Sequence, residues 1–334
     1  MPPEFTPQIP PVTEATRPLW SVMIPCYNAN PHYLGETLRS VLEQDPGRSA
    51  MQIELIDDGS AGGAPSELVR KIAGDRIAIH QEEKNLGLAG VMNRCIERAK
   101  GRWVHILHHD DLLLPGFYER LKMGVDSTAA PGLIYCRHAF IDEQGCRSWL
   151  SNVDAPKPGL LNQAMQHLAS SQMIQVPAVI VQRSVYETLG GFRSDLCYTL
   201  DWEMWCRIAR QYPVWYEPEV LACYRVHSGA ESFRLKMEGK DIKDVRKCIA
   251  IISDYLPDPK IAARVRRFAL KQTALRAIEN GRQSLDTSKF ATAFRQVLDA
   301  LMCDTSFEVL KRTLAFLLAA ARQMAKTIGS RFIN

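Results

Sequence analysis

The chain lacks three features that would each place it in a familiar class of protein. Its nine cysteines are scattered without a CxxC pair, which predicts reduced thiols in the cytoplasm. The longest apolar run near its C-terminal end, Leu314–Ala321, is far shorter than the roughly 18 to 20 residues of a membrane span. Neither GxGxxG nor GxxxxGK[ST] occurs, which excludes the usual dinucleotide and P-loop sites.

Length and charge divide the chain unevenly. A single core stops growing at about 250 to 300 residues, so 334 residues predict one large domain and an appended unit. The net charge of +4 is the sum of −5 over residues 1–234 (22 Lys and Arg, 27 Asp and Glu) and +9 over residues 235–334 (19 and 10). We therefore expect an anionic partner surface for the C-terminal third only, and no nucleic-acid partner.

From residue 20 onward, short apolar runs alternate with amphipathic helical stretches. The predicted strands are Trp20–Ile24, Met51–Ile56, Arg76–His80 and Trp103–Leu107, and the predicted helices are Tyr33–Gln44, Ser66–Ala73 and Leu88–Ala99. Strands that alternate with helices at these lengths form βαβ units. The fold class is therefore predicted as α/β, with a mainly parallel sheet flanked by helices.

The remainder of the chain sets the domain limits. Proline-rich residues 1–18 predict an extended or disordered leader, and residues 19–234 the α/β domain. The later predicted strands are Gly132–Cys136, Ala139–Ile141, Val176–Val181 and Val220–Val226. Residues 235–334 predict a basic helical extension, with helices over 236–256, 259–280, 287–302 and 306–329.

Four polar side chains follow the central predicted strand, Trp103–Leu107. The segment His108–Asp111 reads His-His-Asp-Asp and precedes a helix that begins near Pro115. In an open α/β sheet the ligand crevice lies beyond the carboxyl ends of the strands, so these side chains should emerge there. Carboxylates and imidazoles together can hold a divalent cation. The alternative is that the aspartates only cap the following helix.

A second acidic turn follows the strand Met51–Ile56. Asp57 and Asp58 precede Gly59 and Ser60 there, and this turn should reach the same crevice as His108–Asp111. A carboxylate at a strand end can accept from the N–H of a pyrimidine base or from a ribose hydroxyl. The same residues are also the usual ones of a tight turn, so both interpretations stay open.

These motifs resemble the inverting glycosyltransferases of family two, which have the GT-A fold. The resemblance runs through Val22–Asn28, Leu38–Gln44, Ile53–Ser60, Asn85–Gly90, Asn93, Gly101, His108–Asp111, Gly190–Phe192, Asp201–Arg207 and Tyr224–His227. It implies a nucleoside-diphosphate sugar donor, a divalent metal (Mn²⁺ or Mg²⁺), and the hydroxyl of a glycan or lipid-linked acceptor.

The resemblance also assigns roles to individual residues. It implies donor binding by Pro25, Tyr27, Asp57, Asp58, Asn85, Asp110 and His227, and metal binding by Asp110, His108 and His227. His108 departs from the family pattern, because it replaces the first acid of the family's Asp-x-Asp motif. Imidazole suits manganese better than magnesium, which favours Mn²⁺. Asp111 is expected to support the ligands without contacting the metal itself.

The resemblance makes Asp201 the general base, with Glu203 as the alternative. Asp201 is also expected to be the N-cap of a helix over Trp202–Arg210, a role compatible with catalysis. A sugar-1-phosphate nucleotidyltransferase is disfavoured, because no glycine-rich loop follows the first strand. A non-catalytic nucleotide-sugar-binding or scaffold protein on the same fold remains the alternative function.

The last predicted helix has one apolar face with basic residues on its other sides. The face comprises Leu310, Leu314, Leu317, Ala321, Met324, Ile328 and Phe332, and the cations are Lys311, Arg312, Arg322 and Lys326. Such a helix can lie in an anionic membrane interface, which would make the protein peripheral on the cytoplasmic face. Alternatively, the face packs on the preceding helices or on a second subunit of a homodimer.

Overall fold

A computed structural model of the protein describes residues 5–286 and 289–331. The strands are β1 Trp20–Cys26, β2 Met51–Asp57, β3 Ala78–Gln81, β4 Trp103–Ile106, β5 Leu112–Leu113, β6 Leu133–Ile141, β7 Arg147–Leu150, β8 Gly159–Leu160, β9 Val179–Gln182 and β10 Val214–Arg225. The helices are α1 Pro31–Leu42, α2 Ser66–Ala73, α3 Gly87–Arg98, α4 Phe117–Val125, α5 Ala164–Ser170, α6 Arg183–Leu189, α7 Leu200–Ala209, α8 Glu231–Glu238, α9 Asp241–Ser253, α10 Pro259–Asp286, α11 Phe290–Cys303 and α12 Phe307–Arg331.

The chain divides into two compact units, and the main division falls after His227. The first unit holds the sheet. The second holds the C-terminal helices and also takes in residues 169–171. The division lies before the boundary expected at residue 235, because α8 groups with the later helices.

The sheet has the order β3-β2-β1-β4-β9-β6-β10-β5, with β7 paired to β6 and β8 to β10. Neighbouring strands among β3, β2, β1 and β4 are parallel, and Trp20 of β1 lies opposite both Met51 and Trp103. The carboxyl ends of β1, β2 and β4 therefore meet at one edge. β9 runs antiparallel to both β4 and β6, so β6 points the same way as β4. The predicted α/β class is confirmed.

Burial explains why the first strands and helices form where the sequence places them. Every residue of β1 is buried, as expected for a central strand with both faces covered. In α1, Leu34, Leu38 and Val41 recur at helical spacing and are all buried in the core. The predicted bounds of α2 agree with the structure, and those of β1, β2, α1 and α3 differ by at most two residues.

Four predicted elements require correction. The strands expected at Gly132–Cys136 and Ala139–Ile141 are one continuous strand, because neighbours on both sides of β6 pair with it. The strand expected from Val176 begins with a 3-10 turn, where Pro177 supplies no backbone donor. The helix expected over 236–256 is broken into α8 and α9 at Gly239, whose φ of +67° is left-handed.

Of the two states expected for the leader, extended or disordered, residues 5–18 adopt the extended one. These residues have no regular secondary structure, but their carbonyls are fixed by hydrogen bonds from the first unit. The Gly191 N–H donates to the Pro7 carbonyl at 2.9 Å, and the Arg183 guanidinium donates to the Pro10 carbonyl at 3.1 Å. Prolines lack an N–H but keep a free acceptor, so an extended proline-rich segment can still dock along a domain.

The described residues of the second unit form helices joined by short turns and no strand, as expected. Its core includes Ala277 and Ile278 of α10, Val297 and Ala300 of α11, and Phe316 of α12. No helix in the described part of the chain is both long and apolar enough to cross a membrane.

Asn93 of α3 fixes the turn that follows α6. It accepts from the Phe192 N–H at 2.7 Å and donates to the Phe192 carbonyl at 2.9 Å. Gly191 is required beside it, because a Cβ there would lie 2.2 Å from Asn93 Oδ1. A buried amide thus holds the segment between α6 and α7 in place.

We predict that Asn93→Ala lowers the free energy of unfolding by about 2 to 4 kcal/mol, because it leaves both backbone groups of Phe192 buried and unsatisfied. Urea denaturation measures the loss. Asn152→Ala, at an exposed loop position, is the matched control and should change stability by less than about 0.5 kcal/mol. Equal effects of the two substitutions would contradict the prediction.

Candidate active site

One of the two aspartates in the turn after β2 stabilises the turn itself. Asp57 is fully buried, and its carboxylate accepts from the Ser60 hydroxyl at 2.5 Å and from the Ser60 N–H at 3.1 Å. Ser60 Oγ in turn accepts from the Asn28 N–H at 2.7 Å. Asp57 therefore ties the exit turns of β1 and β2 together, and the tight-turn interpretation holds for this residue.

Asp58 anchors the neighbouring loop before α3. Its carboxylate accepts from the Leu86 N–H at 2.7 Å and from the Gly87 N–H at 3.1 Å. Burial raises the pKa of Asp58 above its usual value, although these two hydrogen bonds act in the opposite direction. Gly59 has a φ of +70°, and a Cβ there would lie 2.8 Å from the Lys84 carbonyl carbon. The turn after β2 and the loop before α3 are thus packed backbone to backbone.

Three further predicted donor residues lie on this edge. Pro25 is the next-to-last residue of β1, and its carbonyl oxygen lies 3.3 Å from His109 Nδ1. Tyr27 follows β1 with an exposed side chain. Asn85 is exposed too, and its side-chain oxygen accepts from the Gly87 N–H at 2.9 Å. The exits of β1 and β4 are therefore in contact.

The segment after β4 brings three potential metal ligands together. One ligand atom each from His108, Asp110 and Asp111 lies within 4.8 Å of the others. His108 Nε2 and Asp111 Oδ2 are buried and have no hydrogen-bond partner among the described residues. Burial lowers the pKa of His108, which favours the neutral imidazole that metals bind. His108 and Asp110 were predicted as ligands, whereas Asp111 was expected behind them.

His227 reaches the same site from the end of β10. Its Nε2 donates to Asp110 Oδ2 at 2.8 Å. Its ring makes an edge-to-face contact with the Tyr33 ring, with 5.1 Å between the ring centres. Burial alone would raise the pKa of Asp110. The hydrogen bond from His227 and the imidazoles of His109 and His108 outweigh burial and hold that pKa below its usual range. His227 therefore lies where it was expected, but it contacts Asp110 directly.

Arg225 holds this segment against the sheet. It is almost fully buried, and its Nε donates to the Asp110 carbonyl at 2.8 Å. Its guanidinium pairs with Glu36 of α1 at 2.8 Å and lies 4.4 Å from the centre of the Tyr33 ring. The Arg225 N–H donates to Asp111 Oδ1 at 2.9 Å. Burial and the nearby Asp110 carboxylate raise the pKa of Asp111 well above its usual value.

Asp201 lies in the first turn of α7, but it is not the N-cap. The helix begins at Leu200 and its N-cap is Thr199, so the expected start at Trp202 is wrong by two residues. Gln172 Nε2 donates to both carboxylate oxygens of Asp201, at 3.0 and 3.2 Å. The side chain is thereby held in one orientation.

Glu203, the alternative base, is fully buried and pairs with Arg207 at 3.0 Å. Arg207 also donates to the carbonyls of Leu189 and Gly191 at 2.7 and 2.8 Å. Glu203 therefore supports the end of α6 through Arg207, which fits the structural role rather than the catalytic one.

Comparison with known proteins identifies the family. The family model described as glycosyl transferase family 2 matches residues 21–190, just over half of the chain. The chain belongs to this family. The matched region contains β1, β2, β4 and the cluster of His108, Asp110 and Asp111. Membership of the family makes the protein a glycosyltransferase.

Relatives of this glycosyltransferase are identical to it at about a quarter of the aligned positions. An uncharacterized protein of Mycobacterium tuberculosis is 28% identical over 264 residues, which cover 76% of this chain and 80% of the relative. An uncharacterized glycosyltransferase of Rickettsia felis is 27% identical over 228 residues, which cover 67% of this chain and 37% of the relative. The chain therefore spans less than half of the rickettsial protein.

Solved structures of glycosyltransferases share the fold. S. aureus TarS, residues 1–349, superposes with a TM-score of 0.61 at 15% identity, covering 91% of this chain and 87% of that one. The mannosyltransferase PcManGT of Pyrobaculum calidifontis gives 0.56 at 19% identity, covering 97% and 90%. At such identities the likeness shows the GT-A type fold and nothing further.

Two residues of this glycosyltransferase's site were missed by sequence reasoning. Arg225 lies within the matching segment Tyr224–His227, but no role was predicted for it. Gln172 lies outside every recognised motif, and only the folded chain brings it to Asp201. Their contacts show that the candidate ligands and the candidate base are each supported by a neighbouring polar side chain.

We predict that Arg225→Leu costs about 2 to 4 kcal/mol in unfolding free energy, because it removes the donor to the Asp110 carbonyl and breaks the ion pair with Glu36. Hydrogen exchange should also speed up at the amides of Asp111 and Leu112. Arg39→Leu, at an exposed position of α1, is the matched control and should leave both readouts near wild type. Unchanged exchange in Arg225→Leu would show that the arginine does not hold this segment.

Proposed function

We propose that this glycosyltransferase moves a sugar from a nucleoside-diphosphate donor to an acceptor hydroxyl with inversion of configuration, and that it requires a divalent metal. The observation that carries the proposal is the convergence of His108, Asp110 and Asp111 at the carboxyl edge of the parallel strands. The Asp57–Ser60 turn leaves the same edge two strands away. A crevice at such an edge is where open α/β sheets bind ligands.

The residues present fit a divalent metal. The unpartnered His108 Nε2 and Asp111 Oδ2 are buried polar atoms, and a buried polar atom without a partner is costly unless a ligand satisfies it. The lowered pKa values of Asp110 and His108 favour the carboxylate and the neutral imidazole that metal binding requires, whereas Asp111, whose pKa is raised, would have to release a proton as the metal binds. We infer that His108, Asp110 and Asp111 hold the metal, with His227 orienting Asp110 or joining the ligands.

A divalent cation bound there would offset the negative charge that develops on the departing diphosphate. The nitrogen ligand favours Mn²⁺ over Mg²⁺. The structure of PcManGT was solved with GDP-Man and Mn²⁺, and a structure of TarS with UDP-GlcNAc, which supports a nucleotide-sugar donor for this chain.

For the donor's base we infer a contact with Asp58. An ionised carboxylate offers about four lone-pair positions, and the Leu86 and Gly87 N–H groups use two of those on Asp58. Asp58 can therefore accept a further bond from a base N–H. Pro25, Tyr27 and Asn85 belong to the edge formed by the same loops, and we include them in the donor site.

Asp201 is the proposed general base. A carboxylate held in one orientation by Gln172 can take the proton of an acceptor hydroxyl as that oxygen attacks the anomeric carbon. One displacement inverts the anomeric configuration and needs no covalent sugar–enzyme intermediate. The acceptor we propose is a glycan or a lipid-linked sugar.

The metal site can be tested by nucleotide binding. In Asp110→Ala, Mn²⁺ should no longer add to the thermal stabilisation produced by UDP or GDP, because a ligand that binds only the native state raises stability. The melting temperature without ligands should stay within a few degrees of wild type. If Mn²⁺ still enhances nucleotide binding in the variant, the metal lies elsewhere.

The companion variant His108→Asp separates the metal from the nucleotide. It restores an acid at the position where the family pattern has one, so the preference should shift from Mn²⁺ toward Mg²⁺ while the stabilisation by nucleotide persists. A metal preference identical to wild type would mean that His108 is not a ligand.

The base can be tested with Asp201→Asn, which keeps the side-chain shape but removes the basic oxygen. Turnover should fall by about 10² to 10⁴-fold, while thermal stabilisation by nucleotide and metal survives. Asp126→Asn, at an exposed position, is the matched control and should turn over as wild type does. Turnover of Asp201→Asn within about twofold of wild type would remove Asp201 from the mechanism.

A further inference from the structure

The helix α12 has two apolar faces, and only one of them is buried. Val309, Phe316 and Ala320 belong to the core of the second unit, and the Phe316 ring lies 5.6 Å from that of Phe294 in α11. Thr313 falls on the same buried side. These contacts attach α12 to its neighbours through a face different from the one that the leucine spacing singled out.

The leucine face points outward. Its exposed side chains, with the exposed fraction of each, are Phe307 83%, Leu310 48%, Leu314 59%, Leu317 43%, Leu318 55% and Met324 43%. At about 100° per residue they fall within an arc of about 120°. The alternative that this face packs on the preceding helices is therefore wrong over residues 307–324. Ile328 lies in α12 without a described side chain, and Phe332 lies outside the described residues.

Positive charge borders this face. Lys311 and Arg322 are exposed and follow it on the helical wheel. Glu308 is the only acid of α12, and it is neutralised by Lys271 at 2.8 Å and Arg312 at 3.2 Å. A stripe of exposed leucines beside uncompensated cations is the pattern of a helix that lies in a membrane interface.

We propose that α12 docks on an anionic lipid bilayer, with its leucine face among the acyl chains and its cations at the headgroups. Charge decides between this partner and a second copy of the chain. The segment 235–334 carries a net charge of +9, so two copies would repel each other, whereas an anionic bilayer would attract it. The proposal rests on α12 and on the net charge of residues 235–334, and it is independent of the donor and metal sites.

Vesicle sedimentation of the full-length protein tests the proposal. The protein should pellet with vesicles that contain phosphatidylglycerol and stay in solution with pure phosphatidylcholine, and salt should weaken the binding. Leu314→Glu and Leu318→Glu should each weaken binding by about tenfold or more, because each places a charge where an apolar side chain would be buried. Met123→Glu, at an exposed apolar position of α4, is the matched control and should bind as wild type does.

A charge variant keeps the test decisive if a leucine variant misfolds. Lys311→Gln with Arg322→Gln alters only exposed side chains, and it should weaken binding to anionic vesicles and flatten the salt dependence. Failure of the wild-type protein to bind anionic vesicles would overturn the proposal. So would a dimer in sedimentation equilibrium that Leu314→Glu dissociates while vesicle binding stays absent, since the face would then belong to a second copy.

Discussion

The buried guanidinium of Arg225 is the interaction on which the candidate site depends. Its donors are shared between the Asp110 carbonyl, Glu36 of α1 and the Asp142 carbonyl, while the Arg225 N–H bonds to Asp111. A buried cation must be paired, and the contacts of Arg225 with Glu36 and the Asp110 carbonyl join α1, the end of β10 and the segment after β4. Arginine suits this role, because its planar fork presents several donors in fixed directions.

The acids of the site divide into those that build it and those left for a ligand. The carboxylate of Asp57 is engaged by Ser60, and that of Asp58 holds the loop before α3 while retaining acceptor capacity. By contrast, His108 Nε2 and Asp111 Oδ2 are buried without a partner in the described part of the chain. This contrast separates two neighbouring acidic turns that look alike in sequence, and it is the reason for proposing the metal site after β4.

The helical unit shows a similar division on a larger scale. An apolar face is expected to be buried, and in α12 a face containing Phe316 and Ala320 meets that expectation. The leucines on the next face remain exposed, although covering them would stabilise the protein. A large exposed apolar stripe usually marks an interaction surface, and the cations beside it are the reason for proposing an anionic partner.

The sequence by itself determined the α/β class and most of the early strands and helices, and it placed the candidate residues after β2 and β4 at one edge of the sheet. Those conclusions rest on local periodicity and on strand ends that a parallel sheet must bring to one edge. The choice of His108 and Asp110 as metal ligands came from the resemblance to the family's Asp-x-Asp motif, and it stays a prediction. Long-range contacts were decided only by the tertiary structure, because their partners are far apart in the chain. Arg225 donates to the Asp110 carbonyl, Gln172 orients Asp201, and the leader docks through Pro7 and Pro10.

The tertiary structure also decided which face of α12 is buried, because helical spacing identifies an apolar face but not the neighbouring helix that covers it.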